Sequence, residues 1–239
     1  MQQIRIEDIV VIDIETVSEY QNYSDLNDTW KQLWEEKISK SVPEGMSVSE
    51  FYPVRAAVMA EFSKIVCISI GYFTKELNLR LRIKSFYGHE EKTVLEEFLA
   101  TLKKIEKLNS RWVFAGHNIK EFDIPFMCRR LLINQIAIPG FLDFQNMKPW
   151  ETNIIDTFQY WKFGDYKSYT SLKLLAAAMG VPSPKDDIDG SMVGEVYWKK
   201  KDVKRIADYC QKDVITVANL LLKFKNITML QPSDIDFVQ

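Results

Sequence analysis

The sequence predicts an α/β fold: a mixed β-sheet with helices on both faces and a helical insertion after its first strand. Three observations predict it. The β-branched run Ile9-Val10-Val11-Ile12 lies near the N-terminus and is apolar on both faces, as a central strand covered above and below must be. Strand-like stretches come first, and helix-like and strand-like stretches then alternate, which is the order of a mixed sheet. Between the first two strands, about residues 18–62, the chain is too long for a plain connection and carries apolar residues at helical spacing.

The first strand ends in Asp13-Ile14-Glu15-Thr16. Side chains two apart on a strand share a face, so Asp13 and Glu15 project together. Two carboxylates side by side at the end of a buried strand repel, and a divalent cation would relieve the repulsion. Acids also simply mark where a strand leaves the core. With 33 acids in 239 residues, an acid-x-acid triplet arises by chance about five times, so this stretch carries little alone.

The insertion contains Trp30-Lys31-Gln32-Leu33-Trp34, then the turn signal Val42-Pro43-Glu44-Gly45, then a second helical stretch over 49–61. A flap over a site and a structural decoration are both open readings. Residues 64–73 read as a strong strand. Residues 79–86 alternate apolar with basic, the period of a strand with one wet face, and the two pair as an antiparallel hairpin. Residues 90–108 have the 3.6 period of a helix. A short strand over 111–115 runs into Gly116-His117-Asn118. A helix follows over 122–134, with Pro125 tolerated in its first turn. Residues 152–155 form a last strand ending at Asp156. A compact helix over 171–179 is stopped by Gly180, and a long helix spans 201–224.

The net charge of −2 argues against broad coating of nucleic acid, but not against a grip on a strand end. Cys67, Cys128 and Cys210 are odd in number and far apart, and read as buried free thiols of a reducing compartment. The N-terminus lacks the pattern of a signal peptide, and no apolar run reaches the ~20 residues of a membrane helix. The expected location is cytoplasmic.

Two later stretches carry possible chemistry. Asn118-Ile119-Lys120-Glu121-Phe122-Asp123 leaves the sheet at a strand's carboxyl end, where α/β proteins place their sites. Asp123 is also a natural N-cap. In the last helix Val203, Ala207, Cys210, Val214, Val217 and Leu221 form the core stripe, and Tyr209 and Asp213, four apart, share a neighbouring face. An acid so near a buried stripe is costly unless paired or metal-bound. Paired to Lys212 or another neighbour, it would be no more than a salt bridge.

The order of the three elements is more telling than any one of them. Asp-x-Glu on a first strand, Asn-x-x-x-Phe-Asp entering a middle helix and Tyr-x-x-x-Asp in a late helix resemble the motifs of the DEDD 3′–5′ exonucleases. More closely, the chain resembles the proofreading exonuclease domain of family B DNA polymerases, from Asp13 to Asp213. Ser171-Leu172-Lys173-Leu174-Leu175 followed by Met179-Gly180-Val181-Pro182 looks like the helix preceding the third motif. Residues Ala60 to Ser69 look like the second strand of a stand-alone, polymerase-B-related exonuclease family.

The resemblance implies a ribonuclease H-like, mixed five-stranded sheet in a single exonuclease domain over 1–239. It implies two Mg²⁺ or Mn²⁺ ions held by Asp13, Glu15, Asp123 and Asp213. Asp13 bridges both, Glu15 and Asp213 complete the nucleophile-side site, and Asp123 holds the second ion. Two such ions clamp the attacking and leaving oxygens of an in-line displacement. Tyr209 hydrogen-bonds the attacking water, orienting it better than it could deprotonate it. Position 208, where the other branch of the superfamily has histidine, is Asp208, so the chain looks like the tyrosine type. Thr16, Val17, Asn118 and Phe122 are the candidates for gripping the terminal nucleotide.

The implied function is hydrolysis of terminal phosphodiesters of single-stranded DNA from the 3′ end, releasing nucleoside 5′-monophosphates in DNA repair or proofreading. The alternatives are an exoribonuclease of the same fold and an inactive nucleic-acid-binding module. A DNA polymerase or repair partner would be met in trans, since the chain leaves no room for a polymerase domain. His117 could touch substrate or serve the loop. Lys199-Lys200-Lys201 with Lys204-Arg205 could receive a phosphate backbone or be a solvated helix start. Asp187-Ile188-Asp189-Gly190 fails the spacing of a calcium loop and reads as a turn. Asp156, a helix cap or supporting acid, stays outside the expected site.

Overall fold

Apolar on both faces, the first strand must lie inside the sheet, and it does. The computed structural model describes residues 3–75, 78–145, 147–148, 151–165, 167, 169–182 and 188–238. In chain order these form β1 (Ile9–Ser18), α1 (Asp28–Ile38), α2 (Val48–Arg55), β2 (Ser63–Lys75), β3 (Leu79–Tyr87), α3 (Glu91–Leu108), β4 (Val113–Gly116), α4 (Asp123–Ile133) and β5 (Ile154–Asp156). There follow α5 (Thr157–Lys162), α6 (Leu172–Ala178), the short α7 (Val193–Glu195), α8 (Val203–Phe224) and β6 (Ile235–Phe237). The sheet order is β5-β4-β1-β2-β3-β6. β1 runs antiparallel to β2 and parallel to β4, and β3 closes the expected hairpin with β2.

Alternation along β1 sorts its side chains between two cores. Val10, Ile12 and Ile14 pack with α3 and α4 through Phe98, Leu102, Phe126 and Met127. Ile9 and Val11 pack with α8 through Val214, Val217 and Leu221. Gly71 on β2 lets α8 come close, since a Cβ there would stand 2.7 Å from a methyl of Val214.

The insertion folds around its own aromatic cluster, with Trp34 edge-on to Tyr52 at 5.1 Å and to Phe62 at 5.2 Å. A buried arginine on α4 staples its ends. Arg130 grips Glu91 through Nε at 2.8 Å and donates from Nη1 to the Ala60 carbonyl at 2.8 Å, and its guanidinium lies 3.5 Å from Glu19.

The structure adds a sixth strand to the five expected. β6 is three residues long, too short to show a period; it joins β3 in parallel, and Arg80 clasps Asp236 across the pair at 2.8 Å. The last helix begins two residues later than expected, because Lys201 is left-handed (φ 56°) and the Asp202 side chain caps Arg205 N–H at 3.0 Å. α5 and α7 lie where no helix was expected. A π-helical turn over Val196–Lys200 extends α7. Of the expected buried thiols, Cys128 is only half-buried. Asp187 lies outside the described residues; Asp189, beside it, accepts from Ser191 N–H at 2.9 Å and caps a 3₁₀ turn. Among the described residues no helix is long and apolar enough to cross a membrane.

Candidate active site

Asp13 and Glu15 share the β1 face of Ile9 and Val11 and therefore point toward α8. Beyond Val11, β1 loses β4 as a partner. β4 ends at Gly116, whose absent side chain matters: a Cβ would stand 2.2 Å from Ile119 Cγ2 and 2.8 Å from the Ile12 carbonyl oxygen. The chain thus turns against the backbone of β1, and the loop after it delivers Asp123. Asp123 Oδ1 accepts the Ile14 N–H at 3.2 Å, an amide β4 no longer pairs. The N-cap role, the alternative reading of Asp123, is not what holds it. The N-cap of α4 is Phe122, and the Asp123 carboxylate reaches to β1 instead.

α8 supplies the other wall. Tyr209 and Asp213, one turn apart on α8, stand close enough for the Asp213 charge to act on the phenol. The Cys210 thiol donates to Asp13 Oδ2 at 3.2 Å, and its Sγ lies 3.4 Å from the Asp13 carbonyl oxygen. Sequence reasoning placed Cys210 in the core stripe alone. Its one-residue offset from Tyr209 was the available signal, because a stripe residue at the edge of a helix touches core and site together.

The groups behave as one electrostatic unit. Burial first, then the charges of Asp213 and Asp123, holds the Asp13 carboxyl well above the carboxylate range. Burial, then Asp13 and Asp213, does the same to Glu15. Asp123 is pushed up to about 7 by burial, with its amide hydrogen bonds opposing and Asp156 and Asp213 adding. Burial and the charges of Asp213, Glu15 and Asp13 hold the Tyr209 phenol above its usual range. Glu15 is 8% exposed, and its carboxylate takes no hydrogen bond from any described residue.

This donor set fits a hard divalent cation. Carboxylate oxygens crowd together, those of Glu15 without a hydrogen-bond donor among the described residues, and positive charge is what they lack. Among the described residues, the group whose ligand atoms all lie within 4.8 Å is Asp13, Glu15 and Cys210. Asp123 and Asp213 flank that group without belonging to it. Burial holds the Cys210 thiol in its neutral form, so it orients Asp13 as a donor and is not an anionic ligand.

The expected nucleotide contacts fare differently. The Thr16 hydroxyl donates to the Ala57 carbonyl at 2.7 Å, tying the insertion to the end of β1. The Val17 side chain is fully buried against Val66, Val196 and Ile206. Asn118 is left-handed (φ 63°), and its Oδ1 is buried without a partner. Phe122 is half-buried, 5.2 Å from Phe126 between ring centroids. His117 serves the loop, bonding Thr157 Oγ1 and the Thr170 carbonyl, each at 2.9 Å. Beside Tyr209 opens a cleft of about 340 Å³, bordered by Lys204, Arg205 and Lys212 and by Asp202 and Asp208.

Residues 57–234 match a family described as predicted 3′–5′ exonucleases related to the exonuclease domain of PolB. The chain belongs to this family. The PolB-type exonuclease match contains Asp123, Tyr209 and Asp213, while Asp13 and Glu15 lie before it. The fold is similar to the family B DNA polymerase from the hyperthermophilic archaeon Pyrobaculum calidifontis, with a TM-score of 0.54 and 16% identity. That likeness covers 90% of this chain and 24% of the polymerase, so the chain spans about a quarter of the polymerase's length. It speaks for the ribonuclease H-like fold of the exonuclease domain. No curated protein matches.

Proposed function

We propose that this PolB-type exonuclease removes nucleoside 5′-monophosphates from the 3′ end of single-stranded DNA, with Asp13, Glu15, Asp123 and Asp213 holding two Mg²⁺ or Mn²⁺ ions. The observation that carries the reading is the gathering of Asp13, Glu15 and Cys210 ligand atoms within 4.8 Å, with the charges of Asp123 and Asp213 converging on both acids. When bound, the ions supply Lewis-acid activation of water and stabilise charge on the departing 3′ oxygen. Cys210 keeps one Asp13 oxygen turned by donating to it. Tyr209, a phenol that burial and the charges of Asp213, Glu15 and Asp13 hold above its usual range, keeps its proton and serves to orient a water by hydrogen bonding. Asn118 and Phe122 offer side chains to the terminal nucleotide. Thr16 and Val17, their side chains engaged elsewhere, offer backbone. With a net charge of −2, affinity is local to the strand end.

The test is digestion of matched 5′-labelled DNA and RNA oligonucleotides with Mn²⁺ or Mg²⁺. A ladder shortening from the 3′ end of DNA is expected, abolished in Asp13→Ala/Asp213→Ala. Digestion retained by that double variant would remove the site assignment, and preference for RNA would replace the substrate. A polymerase or repair partner in trans belongs to the same reading, tested by co-purification at physiological salt.

A further inference from the structure

Asp156 ends β5 opposite Gly116, the last residue of β4. Its side chain is 4% exposed and holds four backbone amides. Oδ1 accepts from Asn118 N–H at 2.9 Å, Phe158 N–H at 3.0 Å and Gln159 N–H at 3.3 Å, and Oδ2 accepts from Lys120 N–H at 3.1 Å. Two of these are the ordinary N-cap of α5, which a serine could supply equally. The other two are not capping bonds. They cross from β5 to the loop after the neighbouring strand, and the one from Lys120 needs the second carboxylate oxygen.

The loop they hold is one that needs holding. Asn118 is left-handed, a conformation a non-glycine residue keeps only when its surroundings impose it. That turn points the amides of residues 118 and 120 to one side, making a concavity that suits an anion. From there the loop has little slack. The Asn118 carbonyl accepts from Glu121 N–H at 3.2 Å and Phe122 N–H at 3.1 Å, and the Ile119 carbonyl accepts from Ile124 N–H at 3.0 Å. Asp123 follows three residues after the second amide that Asp156 grips.

We propose that Asp156 is a positioning residue for the exonuclease site: by filling the anion concavity of the 118–120 turn it sets Asn118, Phe122 and Asp123 against the acids of β1. It acts through the loop and touches neither substrate nor ion. The proposal rests on the exonuclease reading for its catalytic consequence, but the holding of the loop is testable apart from it.

The test compares Asp156→Ser, which keeps the cap of α5 and drops both loop bonds, with Thr157→Ala. Thr157 is also buried, its hydroxyl meeting the Gly116 carbonyl at 3.1 Å and His117 Nδ1 at 2.9 Å, but it holds no amide of the 118–120 turn. In metal-free protein, amide hydrogen exchange across 118–123 is expected to quicken about tenfold or more in Asp156→Ser and to stay near wild type in Thr157→Ala. On 3′-labelled single-stranded DNA, Asp156→Ser is expected to raise KM and lower kcat, each about tenfold, against about threefold or less for Thr157→Ala. If Asp156→Ser does not fold, Asp156→Asn carries the same comparison, since its single oxygen cannot serve both loop amides. Unchanged exchange in the loop, or equal losses in both variants, overturns the proposal. A wild-type chain that leaves DNA intact while the exchange difference stands overturns the exonuclease reading instead.

Discussion

If Glu15 holds a metal ion as proposed, function and stability pull against each other there. A carboxylate buried beside Asp13 with no hydrogen bond is costly unless a cation joins it. Glu15→Gln is therefore expected to melt higher than wild type at pH 7.5 in EDTA, while losing about a hundredfold or more of the metal-dependent activity. Differential scanning calorimetry and a digestion assay on the same preparation check both halves. Asp123 gives the pH counterpart. Its folded value of about 7 lies above its ordinary 3.8, so between these limits the folded chain binds a proton that the unfolded chain has lost. The stability it contributes is complete below about pH 4 and is lost as pH rises through 7. Metal-free protein is expected to lose stability from pH 5 to 8 in chemical denaturation, Asp123→Asn to flatten the loss, and saturating Mn²⁺ to reverse it.

At the scale of elements, α4 is the joint between scaffold and site. Its first residue is Asp123, and Arg130, two turns on, binds Glu91 of α3 and the Ala60 carbonyl at the end of the insertion. Arg130→Met leaves Glu91 buried with only the Ile65 and Asn134 donors, and is expected to cost about 3–5 kcal/mol in urea unfolding. Adding Glu91→Gln should recover part of that cost, because the two side chains form one network. Gly116 marks the opposite limit, where no side chain fits. Gly116→Ala must push Ile119 or the backbone of β1 aside, so a loss of about 1–3 kcal/mol is expected, with weaker Mn²⁺ binding in calorimetry as the turn shifts.

At the scale of the molecule, the sheet holds acids from the middle of β1 between two helical layers, and the insertion is tied to the same strand through Thr16. With a net charge of −2 and Lys204 paired to Asp208, single-strand affinity should depend only mildly on salt. A log–log slope of about −1 to −3 is expected from fluorescence anisotropy with a catalytically dead variant. A slope near −7 would mean a long phosphate track that the surface charge does not suggest.

Much of this was legible because it is periodic or local. The apolar run of β1, the alternation of β3 and the stripe of α8 each announce a face, and Asp13, Glu15, Tyr209 and Asp213 could be placed on those faces by counting residues. What stayed hidden depends on partners distant in sequence. β6 is a strand only because β3 offers an edge. Cys210 is more than a core residue only because α8 lies across Asp13. Asp123 could be read as a cap until β4 ended early and left the Ile14 amide to it. Asp156 could be read as a cap too, and half of its hydrogen bonds are just that. The sequence by itself determined which residues carry charge and which faces they share. Tertiary structure alone decided which charges meet, because convergence of groups two hundred residues apart is set by packing, and no local period encodes it.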